Sequence, residues 1–162
     1  MSQQHTVKLL TPASHPCSPS IQFEFSLSSD VAKISPFMDT FMLLIRKCRC
    51  IPGYETDLEI SLREALENAV VHGNHEDPRK RVYVSCRYEL DEVSIAVRDE
   101  GQGFDLDKIA DPTAPDNIQL SRGRGIYLIK ALMDEVRFEE GGVLVYMRKR
   151  ASSSVDLHPE VR

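Results

Sequence analysis

The sequence lacks what several function classes require. No apolar run approaches the roughly 20 residues of a membrane span, so no transmembrane helix is expected. The N-terminus has none of the ordered charged, apolar and cleavage regions of a signal peptide. A basic excess is missing too: Lys plus Arg is 20 against 25 Asp plus Glu, a formal charge of −5. Non-specific nucleic-acid binding needs a basic surface, so no direct nucleic-acid partner is expected. Cysteine is scarce, limited to Cys17, Cys48, Cys50 and Cys86. Cys48 and Cys50 are too close to bridge comfortably, and the expectation is a reduced, cytoplasmic chain. A zinc site from Cys48, Cys50, His72 and His75 would match no standard spacing. There is no internal repeat and no Walker A sequence.

What is present reads as one domain. At 162 residues with 41% hydrophobic content, the chain can bury a full core. Residues 1–19 read as an irregular arm, with residues 7–10 able to add an edge strand. Residues 20–150 form the expected domain, and residues 151–162 a polar tail. Ile21, Phe23, Phe25 and Leu27 alternate with polar residues, as in a half-buried strand. Ser28, Ser29 and Asp30 offer an N-cap. Val31, Ile34, Met38, Phe41, Ile45 and Cys48 follow at helical spacing, until Ile51-Pro52-Gly53 breaks the chain.

A second helix is predicted over 54–72, stopped by Gly73 and Asn74. Strands are predicted over 81–88 and 92–98, joined as a hairpin. A loop-rich stretch over 99–122 precedes a helix over 125–133. Strands over 136–138 and 143–147 flank Gly141-Gly142 as a second hairpin. Hairpins with helices gathered between them predict a two-layer α/β (α+β) sandwich: a mixed, mostly antiparallel sheet covered on one face by helices. A doubly wound sheet would need strand and helix to alternate throughout.

The second helix carries chemistry. At about 100° per residue, Leu58, Leu62, Ala65, Leu66 and Ala69 form an apolar stripe. Ser61, Glu64, Asn68 and His72 fall on another face at i+3 and i+4 steps. Glu64 and Asn68, one turn apart, point at one volume. A carboxylate can take a proton. An amide oxygen suits Mg²⁺, which also takes phosphate oxygens. The same pair also fits a solvated helix face. His72 alone reads as a polar residue near a helix end, and Glu67 as a surface charge.

Two glycine segments follow. Asp99-Glu100-Gly101-Gln102-Gly103 comes directly off a strand, where glycine permits close approach of a ligand to backbone. A carboxylate there can accept a hydrogen bond from an exocyclic amine; a plain Asp-Glu-Gly turn is the other reading. Gly123-Arg124-Gly125-Ile126 opens a helix, exposing N–H groups that favour anions, with Arg122 and Arg124 adding positive charge. A glycine hinge with solvated arginines is the other reading. Neither segment has the third glycine of a dinucleotide fingerprint.

In this order the segments resemble a known superfamily. Glu64-Ala-Leu-Glu-Asn68-Ala-Val-Val-His72-Gly73 looks like the N box of the Bergerat-fold ATPases, which include gyrase, histidine kinases and mismatch-repair ATPases. Residues 97–104 look like its first glycine box. Gly123-Arg124-Gly125-Ile126, with the run that ends Met133-Asp134-Glu135-Val136, looks like its second. The short chain and the His72-Gly73 ending resemble the anti-sigma-factor serine kinases of partner-switching systems.

The resemblance implies roles. Asn68 would bind Mg²⁺ at the phosphates of ATP, Asp99 the adenine amine, and Glu64 would act as base on a partner's serine. Gly101 and Gly103 would shape the adenine pocket, residues 105–122 a lid, and Gly123 and Gly125 a phosphate cradle. His72, Arg122, Arg124 and Ile126 complete the expected nucleotide-contacting set. The implied partners are an anti-anti-sigma factor, a sigma factor or other client, and a second copy of the chain. Three features depart from the family pattern, one of them Ser121-Arg122 where Arg-Ser is common before the second glycine box. Glu67 stands where Thr or Ser is frequent, and Val143 follows Gly142 where Thr is frequent. They motivate an alternative: a nucleotide-gated protein-binding module with little or no kinase activity.

Overall fold

The computed structural model describes residues 20–89, 91–103 and 124–151. The expected arm, the lid over 105–122, Arg122, Gly123 and the polar tail beyond Ala151 lie outside these residues.

Among the described residues, five strands and three α-helices follow in the predicted order. Strand β1 (Ile21–Ser28) leads through a 3-10 turn (Val31–Lys33) into α1 (Ile34–Cys48). Asp30 caps that turn by accepting from the Ala32 N–H at 2.9 Å. Val31 does not join the apolar stripe; it is exposed, because the 3-10 turn sets it off the helix face. Arg49 ends α1 in the left-handed region, at φ 50°. Helix α2 (Glu55–Glu67) begins after Gly53, at φ 88°, with Glu55 and Asp57 in its first turn where the helix dipole favours acids.

The predicted single helix over 54–72 changes geometry at Asn68. Residues Asn68–Gly73 form a π-helical segment, closed by the Asn74 N–H to the Ala69 carbonyl at 2.8 Å. Such wide turns gather at functional sites. Strands β2 (Arg81–Glu89) and β3 (Glu92–Arg98) form the first hairpin. Helix α3 (Arg124–Leu132), β4 (Glu135–Glu139), a 3-10 turn (Glu140–Gly142) and β5 (Leu144–Arg150) complete the fold.

The sheet order is β1-β2-β3-β5-β4. Every pairing among the described strands is antiparallel, so the sandwich is as expected and its sheet is more regular than a mixed one. Register explains the burial. Phe25 pairs with Val84, Val84 with Val97, and Val97 with Val145, one apolar row across four strands. A parallel row runs Phe23, Cys86, Ile95, Met147. All eight are buried. The opposite face carries Ser85, Arg87, Ser94, Tyr146 and Arg148, the alternation of a sheet with one wet side.

Helices cover the apolar face. Phe37 and Phe41 of α1 pack on Phe25, with ring centroids 5.4 and 5.9 Å away. Leu58, Leu62, Ala65, Leu66 and Ala69 are buried, as the stripe predicted. Lys149 fixes how α3 lies on α2. Its Nζ donates to the Leu132 carbonyl at the end of α3, at 2.7 Å, and pairs with Asp57 near the start of α2, at 3.1 Å. Gly125, at the start of α3, lies against Glu64 and Asn68 near the end of α2. The two helices are therefore antiparallel. This packing brings the start of α3 to the polar face of α2.

Candidate nucleotide site

Glu64 and Asn68 converge, as their spacing predicts. A Cβ placed on Gly125 would collide with Glu64 Oε2 and come within 3.5 Å of Asn68 Nδ2. The missing Cβ leaves room for the Glu64 carboxylate where it stands beside the start of α3. The Glu64 carboxyl is pushed above its ordinary value, mainly by burial and further by the charge of Glu67. Glu67 itself is exposed, as expected of a surface charge. Ser61 does not share the site surface; it is fully buried. His72 is exposed on the π-helical segment. The helical period therefore anticipates that Glu64 and Asn68 lie together beside Gly125, while the next positions on the same face diverge from them.

Asp99 sits where β3 ends, and it is buried to 7% exposure. Its backbone N–H donates to the Val143 carbonyl at 3.1 Å, tying it to the start of β5. Its Oδ1 accepts from the Gly101 N–H at 2.7 Å. Desolvation raises the Asp99 carboxyl above its ordinary value, and the Gly101 N–H is the largest opposing influence.

Glycines make room around this carboxylate. A Cβ on Gly73 would overlap the Asp99 carboxyl group. One on Gly101 would overlap the Gly73 carbonyl, and one on Gly103 the Gly141 carbonyl. Gly103 also needs its freedom in φ, at 76°. Gly73 was legible only as a helix stop; its contact with Asp99 needed the three-dimensional fold.

Between these groups lies a cleft with Ala65, Ala69, Val97, Ile129 and Phe138 on its walls and Asn68 and Asp99 at its polar positions. The cleft encloses only about 20 Å³ as it stands; it is the chemistry of its lining, apolar walls with a few convergent polar groups, that suits a flat heteroaromatic ring. A larger trough of about 510 Å³ lies on the wet face of the sheet, lined by Ser85, Arg87, Glu92, Ser94 and Tyr146. None of the convergent glycines or perturbed carboxylates lines it, so the smaller cleft is the candidate site. At its far end Arg124 and Gly125 open α3, with Arg124 exposed and Ile126 half-buried. Among the described residues no group of His, Cys, Asp and Glu could hold a metal alone. A cation here would need oxygens from a ligand, as Mg²⁺ on a nucleotide has. Cys48, Cys50 and Cys86 are free thiols, and burial raises Cys50 to about 12.

The sequence matches the Histidine kinase-like ATPase domain over residues 27–149. The chain belongs to that family. Within it the similar proteins are anti-sigma factors and serine-protein kinases. An anti-sigma F factor of Oceanobacillus iheyensis is 36% identical over 104 residues, covering 61% of this chain and 71% of that protein. The serine-protein kinase RsbW of Bacillus subtilis is 40% identical over 100 residues, covering 57% and 62%. An anti-sigma F factor of Geobacillus kaustophilus is 30% identical over 134 residues, covering 80% and 82%. The similarity supports the anti-sigma-factor serine kinase group of that family for this chain. No described helix is long and apolar enough to cross a membrane.

Proposed function

We propose that this chain is an ATP-dependent protein-serine kinase that also sequesters a sigma factor or similar client. The substrate of the kinase is an anti-anti-sigma protein, modified on serine, and the setting is cytoplasmic. The observation that carries the reading is the convergence of Glu64 and Asn68 on the glycine that opens α3. The similarity to proteins named anti-sigma F factor and serine-protein kinase supports it.

The residues present fit a magnesium nucleotide. A Cβ on Gly101 or Gly103 would overlap a backbone carbonyl and one on Gly125 the Glu64 carboxylate, so these glycines let the segments that carry Asp99, Glu64 and Asn68 pack close together around the cleft. When bound, ATP supplies the γ-phosphoryl group and Mg²⁺ draws charge from its oxygens. Asp99 would accept a hydrogen bond from the adenine amine, and the apolar walls would hold the ring. Asn68 supplies the amide oxygen to the cation. Arg124, Gly125 and Ile126 would line the phosphate end and His72 would border it; Arg122 and Gly123, expected in the same set, lie outside the described residues. Glu64 takes the proton of the partner's serine hydroxyl while the new O–P bond forms and the bond to ADP breaks. A carboxylate held above its ordinary pKa is the stronger base for this task.

Calorimetry with ATP tests the site. Wild-type protein is expected to bind more tightly with Mg²⁺ than without. Asn68→Ala is expected to lose that Mg²⁺ dependence while melting as the wild type does, because Asn68 lies off the buried stripe. Equal affinity of Asn68→Ala and wild type in Mg²⁺ would refute the metal role. The alternative, a nucleotide-gated binding module, draws on the Glu67 charge beside Glu64 and on Val143 after Gly142. It predicts client affinity that changes with nucleotide while no phosphate moves.

A further inference from the structure

Asn74 is fully buried although polar, and it joins three segments. Its backbone N–H closes the π-helical segment on the Ala69 carbonyl at 2.8 Å. Its Nδ2 donates to the Arg81 carbonyl, at the start of β2, at 2.9 Å. Its Oδ1 accepts from the Glu100 N–H at 2.8 Å. Glu100 directly follows Asp99, and its own carboxylate accepts from the Arg81 N–H at 2.8 Å and from the Tyr83 hydroxyl at 2.9 Å.

The chain then reverses through His75 and Glu76, at φ 56° and 54°. Two adjacent non-glycine residues in the left-handed region are costly and persist only where surrounding contacts hold them. Gly73, the residue before Asn74, leaves the space that the Asp99 carboxyl group fills. One dipeptide therefore sets both where the Asp99 side chain rests and where the next amide is pinned. Asn68 lies on the same π-helical segment, so the node also fixes the span between the two polar positions of the cleft.

We propose that Asn74 is a positioning residue that aims the Asp99 carboxylate at the base of the nucleotide and thereby sets purine selectivity. This rests on the nucleotide reading above. Asn74 touches no ligand; it acts through the Glu100 amide. Loss of the Oδ1 acceptor frees the backbone after Asp99 to rotate, and the carboxylate loses its fixed direction. The phosphate end, held by α2 and α3, keeps its geometry.

The test compares ATP with inosine triphosphate, which carries an oxygen in place of the exocyclic amine. Dissociation constants come from calorimetry, and thermal melts are recorded beside them. Wild type is expected to prefer ATP. Asn74→Ala is expected to reduce that preference about tenfold, the scale of one hydrogen bond to a charged group, with affinity for inosine triphosphate nearly unchanged. Asn74→Asp keeps the acceptor for the Glu100 N–H and is expected to hold the preference within about threefold, even if it melts lower from its buried charge. A merely structural Asn74 would lower the melting temperature and leave the ratio of affinities intact; that result in Asn74→Ala overturns the proposal. Should Asn74→Ala show no cooperative melt, Asn74→Asp is compared with Asn74→Ser, whose hydroxyl is a bond short. Equal ratios in those two would overturn it as well. A wild type that binds neither nucleotide fails the nucleotide reading itself, a distinct outcome.

Discussion

Glu64 is held between burial and the charge of Glu67, and both raise its carboxyl. A base with a raised pKa loses activity as pH falls through that value, because protonation removes the acceptor. Glu67→Gln removes one of the two causes. It is expected to lower the Glu64 pKa, so the acid limb of the kcat/KM profile should move to lower pH. A profile that stays put, or moves up, would show that Glu67 does not act on the base. At this scale the sequence was half legible. Spacing on a helix was enough to pair Glu64 with Asn68. The same spacing grouped Ser61 and His72 with them, yet Ser61 is buried and His72 exposed. Periodicity describes a regular helix, and the chain leaves that geometry at Asn68, before His72; Ser61 lies in the regular part of α2, one turn from Leu58 and Ala65 of the buried stripe. The hydrogen bonds of Asn74 were not legible at all, since its partners lie 7 and 26 residues further on, at Arg81 and Glu100, and no local pattern links them.

The elements were legible for a different reason. Strands with one wet face show period two, and amphipathic helices show period 3.6. The alternation in Ile21–Ser28 and the stripe in Glu55–Glu67 both carry those signals cleanly. How the elements meet was less visible. Nothing local in the sequence states that α3 runs antiparallel to α2, with Lys149 joining Leu132 and Asp57 at one end. That arrangement makes Gly125 critical. In Gly125→Ala the methyl group would press on Glu64 Oε2, the far end of a flexible side chain. The side chain can swing away at small cost, so stability should change little. The base would then sit off its line to the acceptor hydroxyl. A displacement of that order is expected to reduce kcat about a hundredfold. Melting curves and phosphotransfer kinetics on the same preparation check both halves of this expectation.

The whole molecule separates its core from its chemistry. The rows from β1 to β5 and the stripe of α2 form one buried cluster, while Glu64 and Asn68 stand on its border. Leu62 is fully buried, and Leu62→Ala is expected to cost about 2–5 kcal/mol of stability. Denaturant unfolding measures this, and nucleotide affinity in the remaining folded protein should be unaltered. The fold class was legible because the order of hairpins and helices permits few packings. The purely antiparallel pairing was not, because sequence fixes strand positions better than their neighbours. The central claim is that this molecule moves phosphate from ATP to a partner's serine through Glu64. Its most direct measurement is label transfer from γ-labelled ATP with Mg²⁺ to an anti-anti-sigma protein of the same organism, using wild type and Glu64→Ala side by side. The account predicts labelled serine with wild type and almost none with Glu64→Ala; an unlabelled partner with both proteins, or equal labelling with both, would contradict it.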